Sequence, residues 1–348
     1  MFSIGIIGLP NIGKSTLFKD LTRISVPISP YSFTTIEPNQ GIIEVKDERL
    51  EKIAQITKPE KITFSSIKFI DIAGLVKKAH LGKGLGNQFL SHLRNCDGIL
   101  EVIRVFKDKN VEHIEGSIDP KRDIEIIGLE LLMKDLETVE NFLKKIKEKG
   151  GEELSEKIEI LNSLKKRLER GEFLNNVFLK EEEEKLAQEL QLLTKKFLIY
   201  IFNIDEGEKD TETFKKLAGN IPFLVDNLKL EEEILGLSEE EIKELELKPK
   251  YLEQIPEICY NALNLISFFT IKGGKEIRAW EIKRGQSIVE AAAKVHSDFQ
   301  KKFIRGEVLP FEDFIKSGDW HQARKNGLIK IKGRDYIIND GDIIEFKI

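Results

Sequence analysis

The chain has few of the sequence features that are typical of disulfide-rich secreted proteins, zinc-binding proteins or membrane-spanning proteins. Only two cysteines, Cys96 and Cys259, occur among its 348 residues. They lie far apart in apolar surroundings, so the sequence predicts neither a disulfide framework nor a zinc site. No apolar run approaches the roughly 20 residues that a membrane-spanning helix needs. The first strand is predicted to begin at the N-terminus, so no signal peptide is expected. These absences predict a cytoplasmic protein with no membrane partner.

Charge of one sign does not dominate the chain. Its formal net charge is −5, with 33% charged and 41% hydrophobic residues. This composition predicts globular folding with room for two or three domains, and no general attraction to nucleic acid. The stretch from Lys283 to Arg334 differs, with twelve Lys and Arg against six Asp and Glu. A local basic excess of this kind favours an RNA partner, although a merely solvated surface has the same composition.

The strongest motif lies near the N-terminus, where residues 8–16 read GLPNIGKST. This is the GxxxxGKS phosphate-binding pattern. An apolar segment at 4–7 predicts a buried strand before it, and the apolar spacing of residues 16–21 predicts a helix after it, which is the context that the motif requires. Backbone N–H groups and the helix N-terminus would surround phosphates. Lys14 would reach the β- and γ-phosphates, and the Ser15 hydroxyl would join a Mg²⁺ shell.

Two later segments fit the same chemistry. In the polar stretch 30–39, Thr35 is predicted to close over Mg²⁺ and the γ-phosphate, with Thr34 as the alternative. The apolar strand that follows ends in DxxG. Asp71 at its tip would hold Mg²⁺ through water, and the Gly74 amide would sense the γ-phosphate.

A catalytic glutamine and a guanine-binding motif are both missing. Leu75 stands where many GTPases carry the water-orienting glutamine, so either another group positions the attacking water or the enzyme is slow until a partner or cation helps. On the residues alone, His113 is better explained as a hydrogen-bonding histidine than as a catalyst. No NKxD occurs in the chain. At the end of a predicted strand, residues 203–206 read NIDE, which lacks the lysine that flanks guanine. We therefore expect adenine in preference to guanine, with a GTPase as the alternative.

The middle of the chain predicts a helical arm. Its apolar residues recur at a 3-4 spacing. They are Leu129, Leu132, Met133, Leu136, Val139, Leu143 and Ile146. A break at Gly150 and Gly151 precedes a second apolar seam ending at Leu168, and a third helix carries the acidic run 181–184. An antiparallel helical hairpin, suited to binding a partner, is the expected structure.

The last stretch, from about Ser267, is predicted to be a small separate domain. Strands are expected at 277–282, 333–338 and 340–346. Ser287 and Glu290 form a capping-box pattern that opens an alanine-rich helix.

The motifs together carry a family resemblance over nearly the whole chain. They are GLPNIGKST, FTTIEPN, DIAGL, KGLGNQFL, HIEGSIDP, NIDE, EIRAW, HSDFQKKFIRGEV and DYIINDGDIIEF. In this order they resemble the Obg-like ATPases of the YchF branch. The resemblance implies an α/β fold, in which a P-loop NTPase G domain (1–124 and 197–266) carries a helical coiled-coil insertion (125–196). A C-terminal, β-grasp-like TGS domain would occupy 267–348.

The resemblance also implies a function. It implies a Mg²⁺-dependent ATPase that prefers ATP to GTP, binds ribosomes and ribosomal RNA, and acts as a monomer. The nucleotide-binding residues so implied are Asn11, Ile12, Gly13, Lys14, Ser15, Thr16, Thr35, Asn203, Ile204 and Glu206. The catalytic residues are Lys14, Gly74, Leu75 and His113, and the metal-binding residues are Ser15, Thr35 and Asp71. Asn11 matches a position linked to K⁺ activation, which makes K⁺ a candidate accessory ion.

One segment departs from the family pattern. Where relatives carry small residues beside the base, this chain reads PFLVDN at 222–227. Leu224, Val225 and Asp226 therefore change one edge of the base pocket and leave the strictness of the ATP preference open. A further alternative is a ribosome- or RNA-binding module with little turnover.

Overall fold

The computed structural model describes residues 1–23, 39–72, 92–149, 155–207, 210–245, 247, 250–273 and 275–348. Its strands are β1 (Phe2–Ile7), β2 (Gln40–Val45), β3 (Lys61–Thr63), β4 (Ser65–Asp71), β5 (Gly98–Arg104), β6 (Phe197–Asn203), β7 (Phe223–Asp226), β8 (Leu265–Lys272), β9 (Glu276–Lys283), β10 (Arg305–Pro310), β11 (Lys330–Lys332) and β12 (Asp342–Lys347). Its α-helices are α1 (Lys14–Arg23), α2 (Glu48–Thr57), α3 (Pro120–Lys149), α4 (Ser155–Glu169), α5 (Glu181–Glu189), α6 (Thr211–Ala218), α7 (Leu228–Ile234), α8 (Glu239–Glu244), α9 (Lys250–Ala262), α10 (Ile288–Val295), α11 (Ser297–Lys302), α12 (Phe311–Ser317) and α13 (Trp320–Lys325).

The chain divides into two compact units by its internal contacts. The larger unit contains Phe2–Gly41 and Lys68–Cys259, and the smaller unit contains Met1, Ile42–Ile67 and Tyr260–Ile348. The sequence-based domain limits differ from this division, because they assigned 42–67 to the G domain. Among the described residues, no helix is long and apolar enough to cross a membrane.

The larger unit is built on a sheet in which its strands follow the order β4-β1-β5-β6-β7. β1 pairs with β5, β5 with β6 and β6 with β7, all in parallel. Every residue of β1 and β5 is buried, as expected for parallel strands that are covered on both faces. In such a sheet the carboxyl ends of the strands share one edge, and ligands bind there.

The helical arm of the larger unit has a core of its own. α3 and α4 pack together through a buried cluster that includes Val139, Leu143, Leu161 and Leu164. α3 begins with a proline at its first position, where the missing N–H costs no hydrogen bond. The predicted seam is wrong at two positions, because Leu129 and Met133 are 61% and 57% exposed. The predicted break at Gly150 and Gly151 lies outside the described residues.

The smaller unit contains a mixed sheet with the order β11-β10-β12-β8-β9-β3. α10 packs on it, with Ile288, Ala291 and Ala292 in a core shared with Phe268 and Trp280. The predicted capping box is confirmed: the Glu290 N–H donates to the Ser287 hydroxyl oxygen at 3.4 Å, and the Ser287 N–H donates to the Glu290 carboxylate at 2.7 Å. It satisfies N–H groups at the start of the helix.

β3, which lies in the segment from Ile42 to Ile67, joins this sheet by pairing across the sequence. β3 runs parallel to β9, which lies more than two hundred positions later. Arg49 of α2 donates to Asp340 at 3.0 Å.

The strand predicted at 333–338 is wrong. Residues 330–332 form β11, and the chain then turns, with only an isolated bridge between Ile337 and Ser287. The strand predicted at 340–346 is confirmed as β12.

Candidate functional site

The loop between β1 and α1 has a backbone that its glycines make possible. Gly8 and Gly13 have φ of 139° and 103°, and Asn11 between them has φ of 60°. A Cβ atom at Gly8 would lie 2.5 Å from the Val102 carbonyl oxygen, so a side chain there would clash with backbone. The loop leads directly into the start of α1, and a glycine-rich loop before a helix N-terminus is the arrangement that binds phosphates.

Lys14, the first residue of α1, lies inside this loop. Its side chain is buried, and the ammonium group donates a hydrogen bond to the Leu9 carbonyl oxygen. Burial lowers the pKa of Lys14 to about 8, and the carboxylate of Asp71 offsets only part of that effect. The surroundings of this buried ammonium group therefore contain little negative charge, and bound phosphate oxygens would supply more.

Asp71 and Ser15 provide oxygen atoms next to Lys14. Asp71 ends β4 and is 4% exposed, whereas Ser15 lies in the first turn of α1 and is exposed. A carboxylate and a hydroxyl are hard oxygen donors that suit Mg²⁺. Within the described residues no cluster of three or more His, Cys, Asp or Glu side chains forms a metal cage.

Asn203, at the end of β6, holds the phosphate loop to the neighbouring strand. Its amide nitrogen donates to the Ile12 carbonyl oxygen at 2.9 Å, and its amide oxygen accepts from the Leu228 N–H at 3.2 Å. A Cβ atom at Gly13 would lie 2.5 Å from the same amide nitrogen. The structure therefore places Asn203 as a link between the phosphate loop and the start of α7.

The other two residues expected at the base lie in different surroundings. Ile204 is 9% exposed and belongs to the hydrophobic core of the larger unit. Glu206 is exposed. Between them, Asp205 accepts a hydrogen bond from the Lys107 N–H at 2.8 Å and so joins the segments that follow β5 and β6. Of the residues expected at the base, Asn203 and Ile204 are buried and Glu206 is exposed, so the Glu206 carboxylate is the one open to a ligand.

The segment 222–227, which departs from the family pattern, contains β7, and β7 pairs with β6. Asp226 pairs in register with Asn203, and its carbonyl oxygen accepts from the Ile204 N–H at 2.9 Å. The next residue, Asn227, caps α7 by accepting from Lys229 N–H and Leu230 N–H. Leu224, Val225 and Asp226 are all half-buried.

His113 is buried and held at both ring nitrogens. Its Nε2 lies 2.9 Å from an Asp123 carboxylate oxygen, and its Nδ1 accepts from the Glu115 N–H at 3.2 Å. An Nδ1 that accepts carries no proton, so the proton is on Nε2 and is donated to Asp123. A catalytic role for this histidine would require one of these bonds to break.

The segment around His113 nevertheless touches the phosphate loop. The Asn11 amide nitrogen donates to the Glu112 carbonyl oxygen at 3.3 Å. The structure thus brings together the phosphate loop, Asp71, Asn203 and the segment around His113. Thr16 lies half-buried in the first turn of α1. Thr35, Gly74 and Leu75 lie outside the described residues.

A buried set of ionisable side chains on β5 and α3 was not among the predicted site residues. Glu101, Arg104 and Asp123 are 2%, 1% and 3% exposed. Arg104 donates to the carbonyl oxygens of Phe106 and Asp108, both at 3.1 Å. The signal was present, because Glu101 and Arg104 interrupt an otherwise apolar strand.

Comparison with known proteins gives concordant matches. The family model described as "50S ribosome-binding GTPase" matches residues 3–145. The YchF-GTPase_C model, described as "Protein of unknown function (DUF933)", matches residues 265–348.

Whole-length relatives extend these matches. The ribosome-binding ATPase YchF of Bacillus subtilis is 40% identical over 360 aligned positions, which cover 99% of this chain and 98% of the relative. The protein of the same name from Mycoplasma genitalium is 41% identical, covering 100% and 99%. The solved structure of the Schizosaccharomyces pombe YchF GTPase superposes with a TM-score of 0.88 at 34% identity, covering 99% of this chain and 97% of that one. On these grounds the chain belongs to the YchF family of P-loop nucleotide hydrolases.

Proposed function

We propose that this protein is a Mg²⁺-dependent ATP hydrolase that acts as a nucleotide switch on ribosomes. The observation that carries the proposal is the phosphate loop with Lys14 buried at its centre and Asp71 close enough to shift the Lys14 pKa. The names of the two bacterial relatives support both the ATPase activity and the ribosome as partner.

The proposed chemistry assigns a role to the phosphate loop, to the metal-binding residues and to the predicted sensors of the γ-phosphate. The phosphate-loop N–H groups and Lys14 bind and orient the β- and γ-phosphates. Ser15 and Asp71 would hold Mg²⁺, which supplies charge neutralisation on the phosphate oxygens when bound. Thr35 and Gly74 remain proposed sensors of the γ-phosphate. Leu75 leaves the attacking water without the usual glutamine, so slow turnover is expected.

The preference for ATP is proposed from the residues that follow β6. Ile204 has an uncharged, buried hydrocarbon side chain at the position where NKxD proteins carry the lysine that flanks guanine. The Glu206 carboxylate is exposed and one methylene longer than the aspartate of that motif. A GTPase of the same fold is the competing proposal, and the name of the fission-yeast neighbour favours it.

K⁺ is proposed as an accessory ion at Asn11. The Asn11 side chain is exposed, and its amide oxygen has no hydrogen bond to the described residues. An amide oxygen at the rim of a phosphate site is a suitable ligand for a monovalent cation.

RNA contacts are proposed for the smaller unit. Of the twelve basic side chains from Lys283 to Arg334, all but Lys294 and Lys332 are exposed. Exposed lysine and arginine supply the salt-dependent part of RNA binding. We also propose that the protein is a monomer and that it lies in the cytoplasm.

Co-sedimentation with ribosomes tests the switch. The full chain is mixed with ribosomes, Mg²⁺ and either ADP or a non-hydrolysable ATP analogue, beside a Lys14→Ala variant. We expect association that depends on the nucleotide in the parent chain and loses that dependence in the variant. Full, nucleotide-independent association of both proteins would instead favour an RNA-binding module with little turnover.

A further inference from the structure

A cavity of about 450 Å³ lies in the larger unit, apart from the residues assigned to the nucleotide. Residues of α3, β5 and β6 line it, together with Phe173. Its walls are mostly apolar, with Leu129, Leu132 and Phe173 among the lining side chains. This volume lies in the range of about 300–1,000 Å³ that small-molecule sites occupy.

Three polar side chains interrupt the apolar lining, and two of them are buried. The third, Glu125 on α3, is exposed and forms an ion pair with Lys121 at 3.9 Å. Glu101 on β5 and Tyr200 on β6 are paired in register, and both line the cavity. They are 2% and 4% exposed. Within the described part of the chain, neither the Glu101 carboxyl group nor the Tyr200 hydroxyl makes a hydrogen bond. Buried polar groups without partners are rare, because each costs the free energy of its lost hydration.

Burial also determines which form of Glu101 faces the cavity. It raises the pKa of this carboxyl group well above the ordinary value, and the charge of Asp123 adds to the effect. The neutral carboxyl group offers one O–H donor and one carbonyl acceptor, and the Tyr200 hydroxyl offers the same pair. Neither group supplies a full charge for an ionic ligand.

We propose that this cavity binds a neutral, mainly apolar small molecule that carries one hydroxyl or amide group. The apolar body fills the space between α3 and Phe173, and the polar group pairs with Glu101 and Tyr200. An apolar side chain from a partner protein would fill the space but leave both polar groups unpaired, so a small amphiphile fits the lining better.

Gly128 on α3 provides the means to close the cavity. A Cβ atom at this position would make ordinary contacts with the Phe173 ring, at 3.5 and 3.6 Å. A large side chain at 128 therefore extends into the cavity, and loss of glycine from a helix interior favours the helix. Met133 lies on the same helix, does not line the cavity and is 57% exposed, which makes Met133→Phe the matched control for Gly128→Phe.

The test uses 4-propylphenol and propylbenzene as probes of the full chain, by calorimetry and by ¹H–¹⁵N NMR titration. The parent chain and Met133→Phe are expected to bind 4-propylphenol saturably at one site, with shifts centred on β5, β6 and α3. Gly128→Phe is expected to bind at least tenfold more weakly, and Gly128→Leu serves the same purpose if the larger variant does not fold. Propylbenzene, which cannot pair with the polar groups, is expected to bind about fivefold more weakly than the phenol.

The polar pair is tested by its own variants. Glu101→Gln keeps a donor and an acceptor and is expected to bind the phenol as the parent does. Combined replacement by Glu101→Leu and Tyr200→Phe is expected to remove the preference for the phenol over propylbenzene. Absence of saturable binding to the parent chain, binding that Gly128→Phe and Gly128→Leu leave unchanged, or equal affinity for the two probes would each overturn the proposal.

Discussion

The side-chain amide of Asn203 donates a hydrogen bond to the carbonyl oxygen of Ile12 across 2.9 Å. This bond joins the end of β6, where the base is expected, to the loop where the phosphates are expected. The same side chain accepts from Leu228 and so includes α7 in the connection. One buried amide therefore fixes the two halves of the proposed nucleotide site relative to each other.

Replacement of Asn203 tests this connection. Asn203→Ala leaves the Ile12 carbonyl and the Leu228 N–H without their partner, at a cost of about 1–3 kcal/mol for each buried group. We expect a lower free energy of unfolding and at least tenfold weaker nucleotide binding, measured by urea denaturation and calorimetry.

Asn175 supplies the control for that variant. It lies in the same unit and donates a similar bond to the Lys196 carbonyl oxygen, also at 2.9 Å. Asn175→Ala is expected to lower stability but to leave nucleotide affinity unchanged. Equal losses of affinity in the two variants would show that Asn203 acts through general stability alone.

Gly13 tests the close packing at the phosphate loop. Gly13→Ala would place a Cβ atom 2.5 Å from the Asn203 amide nitrogen, in addition to the strain at a φ of 103°. Gly116→Ala has the same kind of strain, with φ of 74°, but meets nothing within 4 Å. We expect at least hundredfold weaker nucleotide binding for Gly13→Ala and little change for Gly116→Ala, measured by titration with a fluorescent nucleotide. Similar affinities in the two variants would contradict the packing argument.

The lowered pKa of Lys14 predicts proton uptake on nucleotide binding. With a pKa of about 8, about half of the Lys14 side chains are neutral at pH 8, and phosphate binding returns them to the charged form. We expect uptake of about half a proton at pH 8 and about a tenth at pH 7. Calorimetry in buffers of different ionisation enthalpy measures this number. Uptake that does not rise between pH 7 and pH 8 would mean that Lys14 is fully charged before phosphate binds.

The raised pKa of Glu101 makes the free energy of unfolding depend on pH. Its pKa is raised in the folded protein, so the folded state holds the proton more tightly than the unfolded state. The free energy of unfolding therefore falls as pH rises above the unfolded pKa, by up to about 1.4 kcal/mol per pH unit. Glu101→Gln removes this loss, so the variant is expected to be more stable than the parent at pH 7 and about equal at pH 4. Urea denaturation across this range measures the difference, and a constant difference would contradict the prediction.

Local contiguous motifs account for what the sequence predicted well. β1, the phosphate loop and α1 all lie within the first 23 residues. Each follows directly on the one before it, so a local residue pattern is enough to predict them. The capping box at Ser287 is equally local. Its two partners lie three positions apart, and the helix begins where they predict.

Pairing over long distances accounts for what was missed. β3 is only three residues long, and its partner β9 lies far along the chain, so no local pattern reveals it. Residues 333–338 have the apolar composition of a strand, but the Tyr336 hydroxyl bonds to Asp342 and the Ile338 N–H to Gln286, which hold the segment in a turn. The two partners of His113, Glu115 and Asp123, lie only two and ten positions away, but no residue pattern shows which ring nitrogen each of them meets.

The affinities for non-hydrolysable ATP and GTP analogues, measured by calorimetry with Mg²⁺ present, test the central claim most directly. The buried Ile204 and the exposed Glu206 predict tight binding of the ATP analogue and at least tenfold weaker binding of the GTP analogue. Glu206→Asp introduces the shorter carboxylate of NKxD proteins at this exposed position. The variant is expected to show a smaller difference in affinity between the two analogues. Equal or reversed affinities in the parent chain would contradict the proposed ATPase and favour a GTPase.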